Sequence, residues 1–126
     1  PIIRELQLEH EFRPLDFVPT EDLPALYKNA LFFVYPSLYE GFGLPVVEAF
    51  CIGTPVVTSD VASLPEVAHD GALYVDPESV PSIASGMERL LSDGALRKTL
   101  VEASRKERSR FEWGRFTETV MNALKS

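Results

Sequence analysis

The sequence has few of the groups that disulfide chemistry or metal binding requires. Its 126 residues include one cysteine and two histidines, His10 and His69. A single cysteine excludes an internal disulfide and is typical of a reducing compartment, so we expect a cytoplasmic protein. The histidines and the cysteine form no cluster with metal-ligand spacing, and no Asp-x-Asp pair occurs. We therefore expect no bound metal.

Basic charge is also scarce. The chain has 12 Lys and Arg against 19 Asp and Glu, for a net charge of −7. This balance argues against nucleic acid as a partner. One basic cluster lies near the C-terminus, and a solvated helix face is favoured for it over a lipid or phosphate patch. The cluster gives only weak support for a peripheral contact with a membrane. Its members are Arg105, Lys106, Arg108 and Arg110.

Apolar runs are short, and none approaches the 18 or so residues of a membrane span. Three of them predict strands buried in a parallel sheet, and a fourth, looser run before Pro19 predicts a short strand. These runs are 31–35, 54–59 and 72–75, and the looser one is 12–18.

Helix signals alternate with these runs. Acids precede a helix within 20–30, Pro45 suits a first helical position, and Gly53 suits the residue after a helix end. Ser63 and Glu66 match a capping box. Apolar residues have helical spacing from residue 80 to a break at 93–94. A second helix is predicted after the break, and a third contains Phe116, Val120 and Leu124. The fold class is therefore α/β, a Rossmann-like parallel sheet with flanking helices, as one domain with a helical tail from about 95 to 126.

The loop after the run 31–35 is the candidate binding site, because ligands of open parallel sheets bind beyond the carboxyl ends of the strands. Gly41 and Gly43 let the backbone approach a ligand and permit positive φ. The helix that follows begins with free N–H groups, which favour an anion such as phosphate.

Two acids flank this loop, Glu40 and Glu48. Glu48 lies on an apolar helix, and we expect it to meet a partner rather than water. Ribose hydroxyls are one such partner, while interaction with its own helix dipole or with a distant Arg is equally open. For Glu40, a solvated loop acid is somewhat favoured on its residue type alone.

The segments "PSLYEGFGLPVVEA", "GTPVVTSD", "SLPEV" and "ALYVDP" together resemble the group 1 retaining glycosyltransferases of the GT-B fold. The resemblance covers the C-terminal, nucleotide-sugar-binding lobe from about Phe12 onward, and the E-x7-E spacing of Glu40 and Glu48 is its most specific part. "FEWGRF" resembles the step into the family's last helix, although Ser more often precedes the Trp.

The resemblance implies a role for each matching residue. Glu40 would contact the donor sugar and support the developing positive charge, and Glu48 would hold the ribose hydroxyls. The backbone near Val18 would lie against the nucleobase. The remaining residues form the loop and helix start whose N–H groups would face the sugar and the diphosphate: Gly41, Phe42, Gly43, Leu44 and Pro45. A nucleoside-diphosphate sugar would be the co-substrate, without a metal.

Two departures limit this reading. The family's lobe begins with two βα units that the sequence does not contain, the first carrying an Arg and a Lys for the diphosphate. The sequence also does not contain the N-terminal lobe, which would mainly bind the acceptor, a carbohydrate or glycolipid. We therefore expect the chain to be part of a longer protein and to be inactive alone. A non-catalytic sugar-nucleotide-binding or regulatory module of the same fold is the alternative.

Overall fold

The computed structural model describes residues 2–111. This part of the chain contains six α-helices and three β-strands, which alternate from the second helix to the fifth, with short 3-10 turns at His69–Gly71 and Ser109–Phe111. In chain order they are α1 (Ile2–Glu5), α2 (Leu23–Asn29), β1 (Phe33–Tyr35), α3 (Leu44–Ile52), β2 (Val56–Ser59), α4 (Leu64–Ala68), β3 (Ala72–Val75), α5 (Val80–Ser92) and α6 (Gly94–Arg108).

The strands form one parallel sheet in the order β1-β2-β3. Val34 lies opposite Val57, and Val57 lies opposite Leu73. Each pair of neighbours is joined by a helix, so β1-α3-β2 and β2-α4-β3 are βαβ units. The expected class, a Rossmann-like parallel sheet with flanking helices, is confirmed.

Helices cover both faces of the sheet. On one face Val56 packs with Phe50 of α3 and Leu64 of α4, all fully buried. On the other face Val57 packs with Leu90 of α5 and Leu100 of α6. Because side chains alternate along a strand, the adjacent residues Val56 and Val57 enter separate cores. This explains why β2 is an unbroken apolar run.

The predicted helix limits agree closely with the structure. Gly53 has φ of 87° and ends α3, where its N–H bonds back to Ala49. Pro45 is the second residue of α3 rather than the first. Asp93 ends α5 and begins α6, where its carboxylate accepts the N–H of Leu96 at 2.8 Å. The break expected at 93–94 is therefore a side-chain cap.

The short strand predicted at 12–18 is wrong. These residues are irregular, and the apolar side chain of Phe17 is 86% exposed. A strand needs a neighbour to accept its hydrogen bonds, and the part of the chain that the structure describes has no strand beside this segment. For the same reason β1 is half-buried rather than buried on both faces, since only β2 pairs with it.

The capping box is also wrong. Ser63 precedes α4, but its hydroxyl makes no bond to that helix and donates instead to the Glu40 carbonyl at 3.0 Å. The helix predicted through Phe116, Val120 and Leu124, and the tail beyond residue 111, lie outside the described residues. Within 2–111 no helix has the length and apolar content of a membrane span.

Candidate active site at the carboxyl edge of the sheet

The loop that follows β1 is fastened by hydroxyl groups from the next βα connection. Ser59, the last residue of β2, donates from its buried hydroxyl to the carbonyl of Ser37. Ser63 donates to the carbonyl of Glu40 at 3.0 Å. The loop therefore has a defined path across the carboxyl edge of the sheet.

Glu40 is held by two hydroxyls from its own side of the sheet. The Tyr35 hydroxyl donates to Oε1 of Glu40, and the Ser37 hydroxyl donates to the same oxygen at 2.8 Å. Both bonds favour the charged form, so the pKa of Glu40 lies below its ordinary value, mainly because of Tyr35 and then Ser37. Glu40 is half-buried and fixed in place, not the freely solvated loop acid that its residue type favoured.

Glu48 lies on the second turn of its apolar helix, where it has the expected partner but is exposed to water as well, which corrects the expectation of a partner in place of water. Its Oε2 accepts a bond from the Tyr27 hydroxyl of α2 at 3.0 Å. The ion pairs within 2–111 do not include Glu48, so a distant Arg is not its partner there. Glu48 thus has one oxygen bonded to the protein and otherwise faces outward.

A row of aromatic rings connects the two glutamates. Tyr27 packs edge-on against Phe33 with ring centroids 5.1 Å apart, and Phe33 stacks on Tyr35 at 5.8 Å. Each tyrosine hydroxyl at the end of the row bonds one glutamate, Tyr27 to Glu48 and Tyr35 to Glu40. The relative position of the two carboxylates is therefore set by packed rings and not by the loop alone.

The start of α3 presents unpaired backbone donors between the two acids. The N–H groups of Phe42, Gly43 and Leu44 bond to no acceptor among the described residues. Gly43 caps α3 with φ of 95°, a conformation that favours glycine, whereas Gly41 does not have positive φ. Free N–H groups at a helix start attract anions, so this end of α3 can bind a phosphate or a sugar oxygen.

A cavity of about 260 Å³ lies between α2 and α3 and is largely apolar. Leu44 and Glu48 line it together with Thr20, Tyr27 and Cys51. Cys51 is exposed there although it lies in the middle of an apolar stretch of sequence. Such a cavity beside a carboxylate can take a flat apolar ring whose polar substituents reach Glu48.

Val18 lies apart from this cavity. It is half-buried in a separate surface groove on the other side of α2, beside Leu15 and Phe17. The predicted residues therefore fall into three groups. Glu40 to Pro45 lie on the loop and helix start, with Leu44 also lining the cavity, while Glu48 lies in the cavity and Val18 in its own groove. Thr20 lines the Glu48 cavity, whereas Val18 does not.

Sequence reasoning missed the tyrosines as partners of the acids. Ser59 and Ser63, whose hydroxyls hold the loop, are likewise not among the residues that the sequence predicts for the site. The signal that could have found Tyr35 is its place at the end of a strand, five residues before a loop acid. Tyr27 has no such signal, since its contact with Glu48 depends on the packing of α2 on α3.

No group of three or more metal-binding side chains occurs within 2–111. The basic cluster is partly engaged in structure there. Arg108 donates to the Cys51 carbonyl at the end of α3 at 3.2 Å, and Arg110 pairs with Glu107 at 2.9 Å. A cation at a helix C-terminus is stabilising, so part of this cluster binds the chain to itself rather than only facing solvent.

Known structures share this architecture. Sucrose-phosphate synthase from Thermosynechococcus elongatus superposes with a TM-score of 0.87 at 28% identity, over 98% of this chain and 32% of that protein. Anabaena HepE, solved in complex with UDP and glucose, superposes with a TM-score of 0.86 at 24% identity, over 98% of this chain and 34% of that protein. The fold is that of one lobe of a GT-B glycosyltransferase.

The family follows from sequence. The model described as glycosyl transferases group 1 matches residues 2–107, so the chain belongs to that family. It is 45% identical over 113 residues to O-antigen chain mannosyltransferase B of Escherichia coli, covering 90% of this chain and 30% of that protein. It is 37% identical over 114 residues to D-inositol 3-phosphate glycosyltransferase of Corynebacterium aurimucosum, covering 89% of this chain and 27% of that protein. The chain thus spans less than a third of the length of these relatives.

Proposed function

We propose that this chain is the donor-binding lobe of a retaining glycosyltransferase that transfers a sugar from a nucleoside diphosphate to an acceptor hydroxyl. The observation that carries the proposal is the placement of Glu40. Two hydroxyls keep its carboxylate charged at the carboxyl edge of a parallel sheet, directly before the unpaired N–H groups that begin α3. Family membership supports the reaction class.

In the proposed reaction, the bond between the anomeric carbon and the diphosphate oxygen breaks, and the electron pair leaves with the diphosphate. The acceptor oxygen bonds to the same carbon on the same face, and its proton passes to the departing diphosphate oxygen. Positive charge develops on the sugar ring, and a fixed carboxylate stabilises it. Glu40 is suited to this role because the Tyr35 and Ser37 hydroxyls hold one oxygen of its charged carboxylate, which also lowers its pKa.

Glu48 is assigned to the nucleoside. A carboxylate can accept bonds from two adjacent ribose hydroxyls. Glu48 already takes one bond from Tyr27 on Oε2, while Oε1 has no hydrogen-bond partner within 2–111. The apolar cavity beside it has room for part of the nucleoside, and the N–H groups of Phe42, Gly43 and Leu44 face the sugar and the diphosphate.

The sugar and the acceptor are proposed from relatives. Several relatives are named as mannosyltransferases of O-antigen chains or of a serotype, including that of Escherichia coli and RfbU of Salmonella typhimurium. We therefore take mannose as the favoured sugar and a cell-surface polysaccharide or glycolipid as the favoured acceptor. The protein would act at the inner face of the membrane from the cytoplasm, without a bound metal.

The test uses the full-length protein and a panel of UDP-, GDP- and ADP-sugars. One base class is expected to raise the melting temperature, and one of its sugars to support turnover in the presence of a chelator. Glu40→Gln should lower kcat by roughly 10²- to 10³-fold, the scale for loss of a group that stabilises transition-state charge. Glu48→Gln should mainly raise the KM for the donor.

The matched control is Glu88→Gln, an exposed acid of α5 outside the site. Its kinetics should equal those of the unsubstituted protein. If Glu40→Gln retains full turnover while remaining folded, the catalytic proposal is wrong. Donor binding without turnover, together with normal biological activity of Glu40→Gln, would instead support the non-catalytic module.

A further inference from the structure

Glu40 and Glu48 each accept a hydrogen bond from a tyrosine that lies on another helix or strand. Tyr35 ends β1 and bonds Glu40 on the loop, while Tyr27 lies on α2 and bonds Glu48 on α3. In both pairs the tyrosine donates to a single carboxylate oxygen. The second oxygen, Oε2 of Glu40 and Oε1 of Glu48, has no hydrogen-bond partner within 2–111.

The two tyrosines are also fixed relative to each other. Phe33 stands between them, in edge contact with Tyr27 at 5.1 Å and stacked on Tyr35 at 5.8 Å. Phe33 and Tyr35 lie two residues apart on β1 and so share one face of the sheet. The Tyr27 backbone carbonyl accepts the Thr54 hydroxyl at 2.8 Å, which ties α2 to the segment before β2.

We propose that Tyr35 and Tyr27 are positioning residues of the donor site, which orient Glu40 and Glu48 by holding one oxygen of each carboxylate. The inference rests on the proposed function, because it assigns the two free oxygens to the sugar and to the ribose. Neither tyrosine touches the reacting atoms. They act through the glutamates, and the ring of Phe33 keeps the two carboxylates in register.

The two tyrosines should have different kinetic signatures. Tyr35→Phe removes a hydroxyl from the group that acts on the sugar, so kcat should fall by roughly tenfold, the scale for a hydrogen bond to a charged group. Tyr27→Phe removes a hydroxyl from the group that holds the ribose. It should raise the donor KM several-fold and leave kcat within about twofold, because binding is lost equally in the ground and transition states.

A pH profile separates positioning from simple loss of packing. The groups facing the Glu40 carboxylate within 2–111 are the Tyr35 and Ser37 hydroxyls, and it makes no ion pair there. Removal of the Tyr35 hydroxyl raises the pKa of Glu40 toward its ordinary value, because the charged form loses its main donor. The acidic limb of kcat should therefore move to higher pH in Tyr35→Phe and should not move in Tyr27→Phe.

The experiment compares both variants with Tyr74→Phe in the full-length protein. Tyr74→Phe also removes one exposed hydrogen bond, which the Tyr74 hydroxyl donates to the His69 carbonyl at 2.6 Å. Tyr74 makes no hydrogen bond to Glu40 or Glu48. Its kinetics should be unchanged. The expected result is a lower kcat with a shifted acidic limb for Tyr35→Phe, and a higher donor KM for Tyr27→Phe, with all three variants folded by circular dichroism.

Two outcomes overturn the inference. One is that Glu40→Gln abolishes turnover while Tyr35→Phe has an unchanged kcat and pH profile. The other is that both tyrosine variants change kcat, KM and melting temperature in the same proportion, as a packing defect would. If Glu40→Gln itself has no effect, the proposed function has failed, and that result is distinct from either outcome.

Discussion

Phe42 and Phe111 pack edge to face, with ring centroids 5.6 Å apart and planes at 89°. Phe42 belongs to the site loop, and Phe111 ends the short turn after α6. Arg110 lies 5.8 Å from the Phe111 ring centroid, and its guanidinium contacts the Glu66 carbonyl at 3.5 Å. The end of the described chain therefore braces the loop that carries the candidate N–H donors.

Phe111→Ala should weaken this loop. Aromatic pairs contribute about 0.5–1.5 kcal/mol beyond the area they bury, so we expect a fall in stability of at least that size. The donor KM should rise because Phe42 loses its support. Thermal unfolding and donor titration measure both effects. Leu91→Ala, at an exposed position on α5, is the control for stability, and equal losses in the two variants would contradict the bracing role.

Gly43→Ala should cost about 1 kcal/mol or more, because φ of 95° disfavours any side chain. The added Cβ would also lie 2.7 Å from Cδ2 of Leu64, which is fully buried. Gly41→Ala is the matched variant for stability, since its Cβ would meet no atom within 4 Å. In chemical denaturation, the free energy of unfolding of Gly43→Ala should be well below that of Gly41→Ala. The reverse order would show that the loop conformation at Gly43 is not required.

Gly86→Ala should destabilise the fold although alanine favours helices. The propensity gain is about 1 kcal/mol. Against it, the new Cβ would lie 2.6 Å from Cγ1 of Val75 on β3, and overpacking costs about 1–3 kcal/mol. Gly94→Ala, at the start of α6, meets only the end of the flexible Arg97 side chain at 3.4 Å and should be neutral or stabilising. A denaturation midpoint for Gly86→Ala above that of the unsubstituted protein would contradict close packing of α5 on the sheet.

Stability should fall as the pH rises from about 10 to 12. Burial and the Glu48 bond raise the pKa of Tyr27 to about 12, and the Glu40 bond and burial raise that of Tyr35 to about 12. A raised pKa means that the folded state retains protons that the unfolded state releases, so the free energy of unfolding decreases over this range. Denaturant unfolding between pH 9 and 12 measures the slope. In the double variant with Tyr27→Phe and Tyr35→Phe, the free energy of unfolding should fall less steeply with pH. A slope equal to that of the unsubstituted protein would contradict the raised pKa values.

Much of the element order could be predicted from sequence. The run 72–75 is a strand with the predicted limits, and Gly53 ends α3 as its lack of a side chain indicated. These features depend on local apolar patterns and on backbone conformations that few residues adopt. The position of Glu40 on a loop at the carboxyl edge followed from the same local signals.

Only the tertiary structure decided the contacts between segments that are distant in the sequence. Residues 12–18 have a strand-like sequence but no strand beside them, and a strand is stable only when a neighbour accepts its hydrogen bonds. Ser63 matches a cap, yet it bonds the Glu40 carbonyl because that acceptor lies within its reach. The sequence by itself determined that two acids flank a glycine loop. The packing of α2 on α3 and of Phe33 between two tyrosines decided how those acids are held.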